Sequence, residues 1–175
     1  MAELARAFGM TVIAYDPRPD KVHAEQAGFH YLPLDEVLAK AEILTLHAAL
    51  NSATRHLLNA ETLAKCREGV VIINTARGAL IDTPAFVAAL ESGRVGGAGI
   101  DVLEDERVLR TEAKNLLARE IVERVHGTGG SRQSSEKPAE RRRQIESLYF
   151  SNSLLSRPEV VFTPHIAFNT TETIE

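Results

Sequence analysis

Short apolar runs alternate along the chain with stretches whose apolar residues recur at helical spacing. The apolar runs predict β-strands at residues 11–15, 29–31, 43–46, 70–74, 97–102 and 160–162. The helical spacing predicts α-helices at residues 2–8, 21–27, 34–39, 60–66 and 83–92. Strands that alternate with helices in this way predict an α/β fold with a doubly wound parallel sheet.

A parallel sheet of this kind binds a dinucleotide across the carboxyl ends of its strands. The pyrophosphate then rests on a glycine-rich turn that leads into the first helix. No G-x-G-x-x-G segment follows any predicted strand, and the chain opens with a helical pattern that Gly9 ends. We therefore expect an incomplete Rossmann-like NAD-binding domain that lacks its first strand and glycine-rich turn. The chain is interpreted as a C-terminal fragment of a longer protein.

Composition excludes several classes of protein. The 175 residues are 44% hydrophobic and have a formal net charge of -4, which gives no electrostatic reason to expect a nucleic-acid or membrane partner. The single cysteine, Cys66, has no partner for an internal disulfide. No signal peptide is evident, and the apolar runs are far shorter than the roughly 20 residues of a membrane-spanning helix. A cytoplasmic protein is expected.

Arg77 follows the predicted strand 70–74 and precedes Gly78, where the backbone can turn sharply. A guanidinium at the end of a strand can grip a carboxylate through two hydrogen bonds, which suits a 2-hydroxy acid or 2-oxo acid. The residues alone are equally compatible with a surface arginine that has no ligand.

His165 follows Pro164 at the end of the predicted strand 160–162, so a stiff backbone limits the direction of its side chain. An imidazole there can give a proton to a carbonyl oxygen or take one from a hydroxyl group. The alternative is a histidine that only satisfies a backbone carbonyl.

Three segments together resemble the catalytic segments of the NAD-dependent D-2-hydroxyacid dehydrogenases. They are residues 70–82 (VVIINTARGALID), 98–106 (AGIDVLEDE) and 161–170 (VFTPHIAFNT). The resemblance covers nearly the whole chain except residues 107–153, and the segment TPHIAFNT leans toward the D-lactate dehydrogenase branch. It implies NAD as cofactor, a small 2-hydroxy or 2-oxo acid as substrate, and a homodimer when the protein is full length.

The resemblance also assigns catalytic roles. It implies that Arg77 holds the substrate carboxylate, that His165 moves the proton and that Glu106 orients His165. Glu104 and Asp105 are alternatives to Glu106 on the residues alone. The resemblance selects Glu106, which stands five residues beyond Asp101.

Asp16 ends the predicted strand 11–15, where an acidic side chain can accept hydrogen bonds from the adenosine ribose. A carboxylate there favours NAD over NADP, although Arg18 lies nearby. Asp16 is otherwise interpreted as a residue that starts the turn at Pro17. The resemblance adds further cofactor contacts, at His47, Ala48, Ala49, Thr54, Thr75, Ala76, Arg77, Asp101, His165 and Ala167. No metal site is expected.

The predicted organisation is a partial dinucleotide-binding domain at residues 1–163, with an atypical helical or flexible insertion at about 107–153. Residues 164–175 are expected to begin the return to a truncated substrate domain. We expect the lone fragment to be inactive. A non-catalytic, NAD-sensing relative resembling a corepressor and a decayed gene remnant are alternative interpretations.

Overall fold

A computed structural model of the chain describes residues 1–104, 146 and 149–165. The helices are α1 (Ala2–Ala7), α2 (Lys21–Ala27), α3 (Leu34–Lys40), α4 (Ala60–Lys65), α5 (Thr83–Glu91) and α6 (residues 149–155). The strands are β1 (Ile13–Ala14), β2 (His30–Tyr31), β3 (Ile43–Leu46), β4 (Val70–Asn74), β5 (Val95–Ile100) and β6 (Val160–Phe162). A single 3₁₀ turn, Gly78–Leu80, follows β4 within these residues.

All strand pairs in the described part of the chain are parallel. β1 pairs with β2 in a two-stranded sheet, and β3, β4, β5 and β6 form a four-stranded sheet in that order. Helices connect consecutive strands from β1 to β5, as parallel pairing requires. The predicted α/β class with parallel strands is therefore confirmed, although the described strands lie in two sheets.

The hydrophobic core lies between the four-stranded sheet and helices α3, α4 and α5. Ile72, Leu80 and Phe86 are completely buried in it. Ile13 of the two-stranded sheet packs against the same core, so the two sheets share one apolar interior. Among the described helices, none is long and apolar enough to cross a lipid bilayer.

Strand β5 begins two residues earlier than the sequence predicts. Val95 pairs with Val70 and is 1% exposed, whereas the prediction began at Gly97. A Cβ atom on Gly96 would lie 2.7 Å from the Gly69 carbonyl oxygen, so only glycine lets these two backbones approach so closely. The low β-propensity of glycine concealed this part of the strand.

Helix α6 overlaps the end of the segment that the sequence assigned to an insertion at about 107–153 and continues to residue 155. Ser151 and Leu154 are 2% and 3% exposed, and Leu154 belongs to the main core. Helix α6 therefore packs against the main core of the domain. The sequence also predicts helices at 111–125 and 140–149 and a flexible linker at 127–138, which lie almost entirely outside the described residues.

Candidate functional site

The candidate site lies where the strands of the four-stranded sheet end. His47 directly follows β3, Arg77 lies three residues beyond β4, Asp101 directly follows β5 and His165 lies three residues beyond β6. These strands are consecutive neighbours and all parallel, so their carboxyl ends meet at one edge. Neighbouring strands lie about 4.8 Å apart, which brings the four segments side by side.

Asn74 shapes the turn that carries Arg77. It is fully buried, its Nδ2 donates to the Arg77 carbonyl oxygen at 2.9 Å, and its Oδ1 accepts from the Ala76 N–H at 3.1 Å. A Cβ atom on Gly78 would lie 2.0 Å from the Leu103 carbonyl carbon, so this position requires glycine. The Arg77 side chain is exposed and donates to the Ala76 carbonyl oxygen at 2.6 Å. Its guanidinium is therefore accessible to a ligand at this edge.

Asp101 ties the ends of β4, β5 and β6 together. Its backbone N–H donates to the Asn74 carbonyl oxygen at 3.0 Å, and its carboxylate, on a residue 2% exposed, accepts a hydrogen bond from the Thr163 hydroxyl. The Thr163 N–H in turn donates to the Ile100 carbonyl oxygen at 3.0 Å. The buried Asp101 carboxylate thus joins two strand ends.

Thr163 also fixes the backbone conformation at His165. The His165 N–H donates to the Thr163 carbonyl oxygen at 2.9 Å, and its φ angle of 57° lies in the left-handed region. Histidine is among the residues that tolerate this region best, although it is uncommon for any side chain. His165 is half-buried, so its side chain remains partly accessible to a ligand.

The Glu104 carboxylate is already engaged within the protein. Its two oxygens each lie 3.0 Å from Nε2 of His56, and one of them also accepts from the Arg55 guanidinium. The Glu104 side chain is 15% exposed. These contacts argue against Glu104 as the partner of His165 and leave Asp105 and Glu106, both of which lie outside the described residues.

Two cofactor candidates have partners of their own. Asp16 is exposed at the end of the two-stranded sheet, and its carboxylate accepts from the Arg18 N–H at 2.7 Å, as a turn-starting aspartate does. The Thr54 hydroxyl donates to the Ala49 carbonyl oxygen at 2.6 Å and so stabilises the loop after β3. Each contact gives the residue a role in a turn or loop, and each leaves the residue able to bind a cofactor as well.

His47 has an environment that favours the neutral imidazole. Its Nε2 lies 3.1 Å from the Thr45 hydroxyl oxygen. Partial burial lowers the pKa of His47, and the positive charge of the chain's amino terminus adds to this effect. A neutral imidazole at the end of β3 can act as a hydrogen-bonding group without adding charge.

The remaining candidates differ in exposure. Ala48 and Ala76 pack against the hydrophobic core, whereas Ala49 and Thr75 are exposed at the edge of the site. Ala167 lies outside the described residues. Among the described residues, no group of three or more histidine, cysteine, aspartate or glutamate side chains is arranged to hold a metal ion.

Three residues of the site had no role in the sequence analysis: His56, Asn74 and Thr163. Asn74 could have been recognised, because a polar residue that ends an apolar strand needs hydrogen-bond partners when it is buried. The contacts of His56 and Thr163 join residues 48 and 62 positions apart, and no local pattern indicates such pairs.

Comparison with known proteins identifies the family. The family model described as "D-isomer specific 2-hydroxyacid dehydrogenase, NAD binding domain" matches residues 1–167, a range that spans the segment 107–153. A 2-hydroxyacid dehydrogenase homolog of Zymomonas mobilis is 34% identical over 173 residues, which are 98% of this chain and 44% of that protein.

Solved structures agree. The pyruvate reductase of Chlamydomonas reinhardtii superposes with a TM-score of 0.73 at 36% identity, over 99% of this chain and 45% of that one. The D-lactate dehydrogenase of Aquifex aeolicus, solved with NAD and lactic acid, gives a TM-score of 0.70 at 29% identity, over 99% of this chain and 44% of that one. The chain spans less than half the length of these relatives. It belongs to the D-2-hydroxyacid dehydrogenase family and corresponds to that family's NAD-binding domain.

Proposed function

We propose that this chain provides the catalytic side chains of an NAD-dependent dehydrogenase that interconverts a D-2-hydroxy acid and the corresponding 2-oxo acid. One observation supports this proposal. Four adjacent parallel strands end at the same edge of the sheet, and they are followed there by His47, Arg77, Asp101 and His165. A fixed cation and a half-buried imidazole at the same edge are the groups that such a reaction needs.

The residues at this edge fit the nicotinamide end of NAD. Thr75 and Ala49 are exposed beside Arg77 and His47, and the neutral imidazole of His47 offers a hydrogen bond to a ribose hydroxyl. Exposed Asp16 has the chemistry to accept hydrogen bonds from the adenosine ribose. When NADH is bound, it supplies the hydride that reduces the 2-oxo carbon.

Arg77 binds the substrate carboxylate in this proposal. Its guanidinium is planar and presents parallel N–H groups, so two hydrogen bonds can fix the orientation of the acid. The buried amide of Asn74 and the contact of Gly78 with Leu103 support this role, because they hold the backbone from which Arg77 extends.

His165 donates a proton to the carbonyl oxygen during reduction and accepts the hydroxyl proton during oxidation. The hydrogen bond between its backbone N–H and the Thr163 carbonyl oxygen supports a fixed backbone position for His165. Glu106 is proposed to accept a hydrogen bond from the second ring nitrogen and so to select the reactive tautomer. The engagement of Glu104 by His56 supports this choice over Glu104.

For these 175 residues on their own, we propose weak NAD binding and no turnover. The sequence contains no glycine-rich turn after a strand to donate backbone N–H groups to the pyrophosphate. Titration of the purified 175-residue chain with NADH, followed by fluorescence, tests this directly. Saturable binding at micromolar NADH would contradict the expectation.

We also propose that the complete protein is a cytoplasmic homodimer. The exposed apolar side chains of Leu4, Phe8 and Met10, which are 62%, 82% and 49% exposed, support burial of this region in a larger assembly. Sedimentation analysis of the complete protein would show a single dimeric species, and a monomer at micromolar concentration would contradict the proposal.

The dehydrogenase proposal is tested with the complete protein. NADH oxidation is followed at its nicotinamide absorbance in the presence of pyruvate, phenylpyruvate or 4-methyl-2-oxopentanoate. We expect saturable turnover of at least one of these acids. Tight NADH binding without turnover of any of them would favour a non-catalytic, NAD-sensing protein.

A further inference from the structure

His56 occupies an uncommon backbone conformation that links it to the Arg77 turn. Its φ angle is 52°, in the left-handed region, and its N–H donates to the Ala79 carbonyl oxygen at 2.8 Å. Two residues later, the Leu58 N–H donates to the Leu80 carbonyl oxygen at 3.0 Å. Two backbone hydrogen bonds thereby join the loop after β3 to the turn that begins at Arg77.

The His56 imidazole reaches a second segment. Its Nε2 lies 3.0 Å from both oxygens of Glu104, and its Nδ1 lies 4.0 Å from an Asp82 carboxylate oxygen. Since a carboxylate only accepts hydrogen bonds, Nε2 carries a proton in this contact. The His56 imidazole therefore contacts the loop that follows β5 and lies near Asp82, the residue that caps α5.

These contacts enclose the Arg77 turn. Gly78 lies directly against the backbone of Leu103 and Glu104, at a separation that would not admit a Cβ atom. If Glu104 moved away, Gly78 would lose the surface against which it packs. The contact between His56 and Glu104 thus fixes the segment against which the turn packs. The His56 N–H donates directly to the turn.

We propose that His56 is a positioning residue for Arg77, acting through its imidazole contact with Glu104. This inference rests on the proposed dehydrogenase function, in which Arg77 binds the substrate carboxylate. His56 has no direct contact with Arg77 among the described interactions and acts by fixing the geometry of the turn.

Arg55 also contacts Glu104, but it is a weaker constraint. The Arg55 side chain is 56% exposed, whereas those of His56 and Glu104 are 35% and 15% exposed. Exposed ion pairs contribute little because water screens them and long side chains lose entropy in forming them. Arg55→Gln is therefore a suitable control that leaves the histidine contact in place.

Two substitutions separate the imidazole contact from the backbone conformation. Asparagine tolerates the left-handed region well but is too short to reach Glu104 from position 56. Glutamine tolerates that region less well, yet its Nε2 can occupy the place of the imidazole Nε2. The positioning proposal predicts that His56→Gln resembles the parent and that His56→Asn is defective, whereas a purely conformational role predicts the reverse.

Hydrogen–deuterium exchange by mass spectrometry provides the first readout. The N–H groups of Ala76, Leu80, Ile81 and Asp82 are hydrogen-bonded around the turn. In His56→Asn, a peptide that covers residues 76–82 should exchange about tenfold faster, which corresponds to one lost hydrogen bond. Peptides from β3 and α4 should be unchanged, and His56→Gln should exchange like the parent.

Steady-state kinetics on the same proteins provides the second readout. In His56→Asn, the KM for the 2-oxo acid should rise about tenfold while the KM for NADH stays within about twofold, because only the turn that grips the carboxylate is loosened. Parent-like exchange in His56→Asn, or equal defects in the Asn and Gln variants, would overturn the proposal. If the parent protein turns over no 2-oxo acid, the exchange data still decide whether His56 positions the turn, and only the dehydrogenase function fails.

Discussion

The hydroxyl group of Thr163 donates a hydrogen bond to the buried carboxylate of Asp101 and so joins the carboxyl ends of β6 and β5. Asp101 is 2% exposed, and its backbone N–H continues the connection to the end of β4. This contact helps to fix the backbone position of His165, two residues beyond Thr163. The proton-transfer candidate and the Arg77 turn are therefore anchored to one another through the Asp101 segment.

Thr163→Val should destabilise the protein by about 1–3 kcal/mol, because the valine cannot donate to the Asp101 carboxylate while filling a similar volume. Thr163→Ser keeps the hydroxyl group and is the matched control. Urea unfolding of the three proteins gives the difference. A Val variant as stable as the Ser variant would show that the hydroxyl contact contributes nothing.

Arg77→Lys in the active enzyme should reduce kcat/KM for the 2-oxo acid by an amount equivalent to about 2–4 kcal/mol. An ammonium group keeps the charge but cannot form two parallel hydrogen bonds to a carboxylate. Arg67→Lys, on an exposed residue that precedes the amino end of β4 and pairs with Glu42, serves as a control. A change of less than about threefold in Arg77→Lys would remove Arg77 from the proposed role.

His165→Gln should retain NADH binding and lose most of the pH dependence of the reduction rate, because glutamine cannot give a proton to the carbonyl oxygen. Reduction needs the protonated imidazole, and an anionic partner favours that form. Glu106→Gln should therefore move the loss of reduction activity to lower pH. An identical pH–rate profile in Glu106→Gln and the parent would point to Asp105 instead.

His47 should titrate below the ordinary histidine pKa of 6.5, because partial burial lowers its pKa. The unfolded chain then takes up the proton at a higher pH than the folded one. The stability that neutral His47 contributes is present above pH 6.5 and is lost as the pH falls through the lowered pKa. Unfolding of His47→Gln should depend less on pH in this window, and NMR titration of the parent imidazole checks the pKa.

The sequence predicts the strands that apolar runs define. β3 and β4 begin and end at the predicted residues, since each is a short run of mostly apolar residues, ILTL and VVIIN. The apolar pattern also indicates β6, which ends directly before Thr163. Because the fold aligns the carboxyl ends of parallel strands, the approximate neighbourhood of Arg77, Asp101 and His165 follows from their places after these strands.

Other features depend on contacts that no local pattern records. The left-handed conformation of His56 depends on hydrogen bonds to Ala79 and Glu104, which are distant in the sequence. The sequence predicts a helix at 140–149, whereas α6 covers residues 149–155, because its packing depends on Leu154 reaching the core of elements far earlier in the chain. The contacts of Glu104 with His56 and Arg55, which argue against it as the partner of His165, likewise join residues far apart in the sequence.

The central claim is that this chain carries the substrate-binding and proton-transferring groups of a D-specific dehydrogenase. The most direct measurement is the chirality of the 2-hydroxy acid formed from NADH and a 2-oxo acid by the longest polypeptide that contains these residues. We predict the D-enantiomer from the parent and no product above background from the Arg77→Lys, His165→Gln double variant. Formation of the L-enantiomer, or equal product from the double variant, would contradict the account.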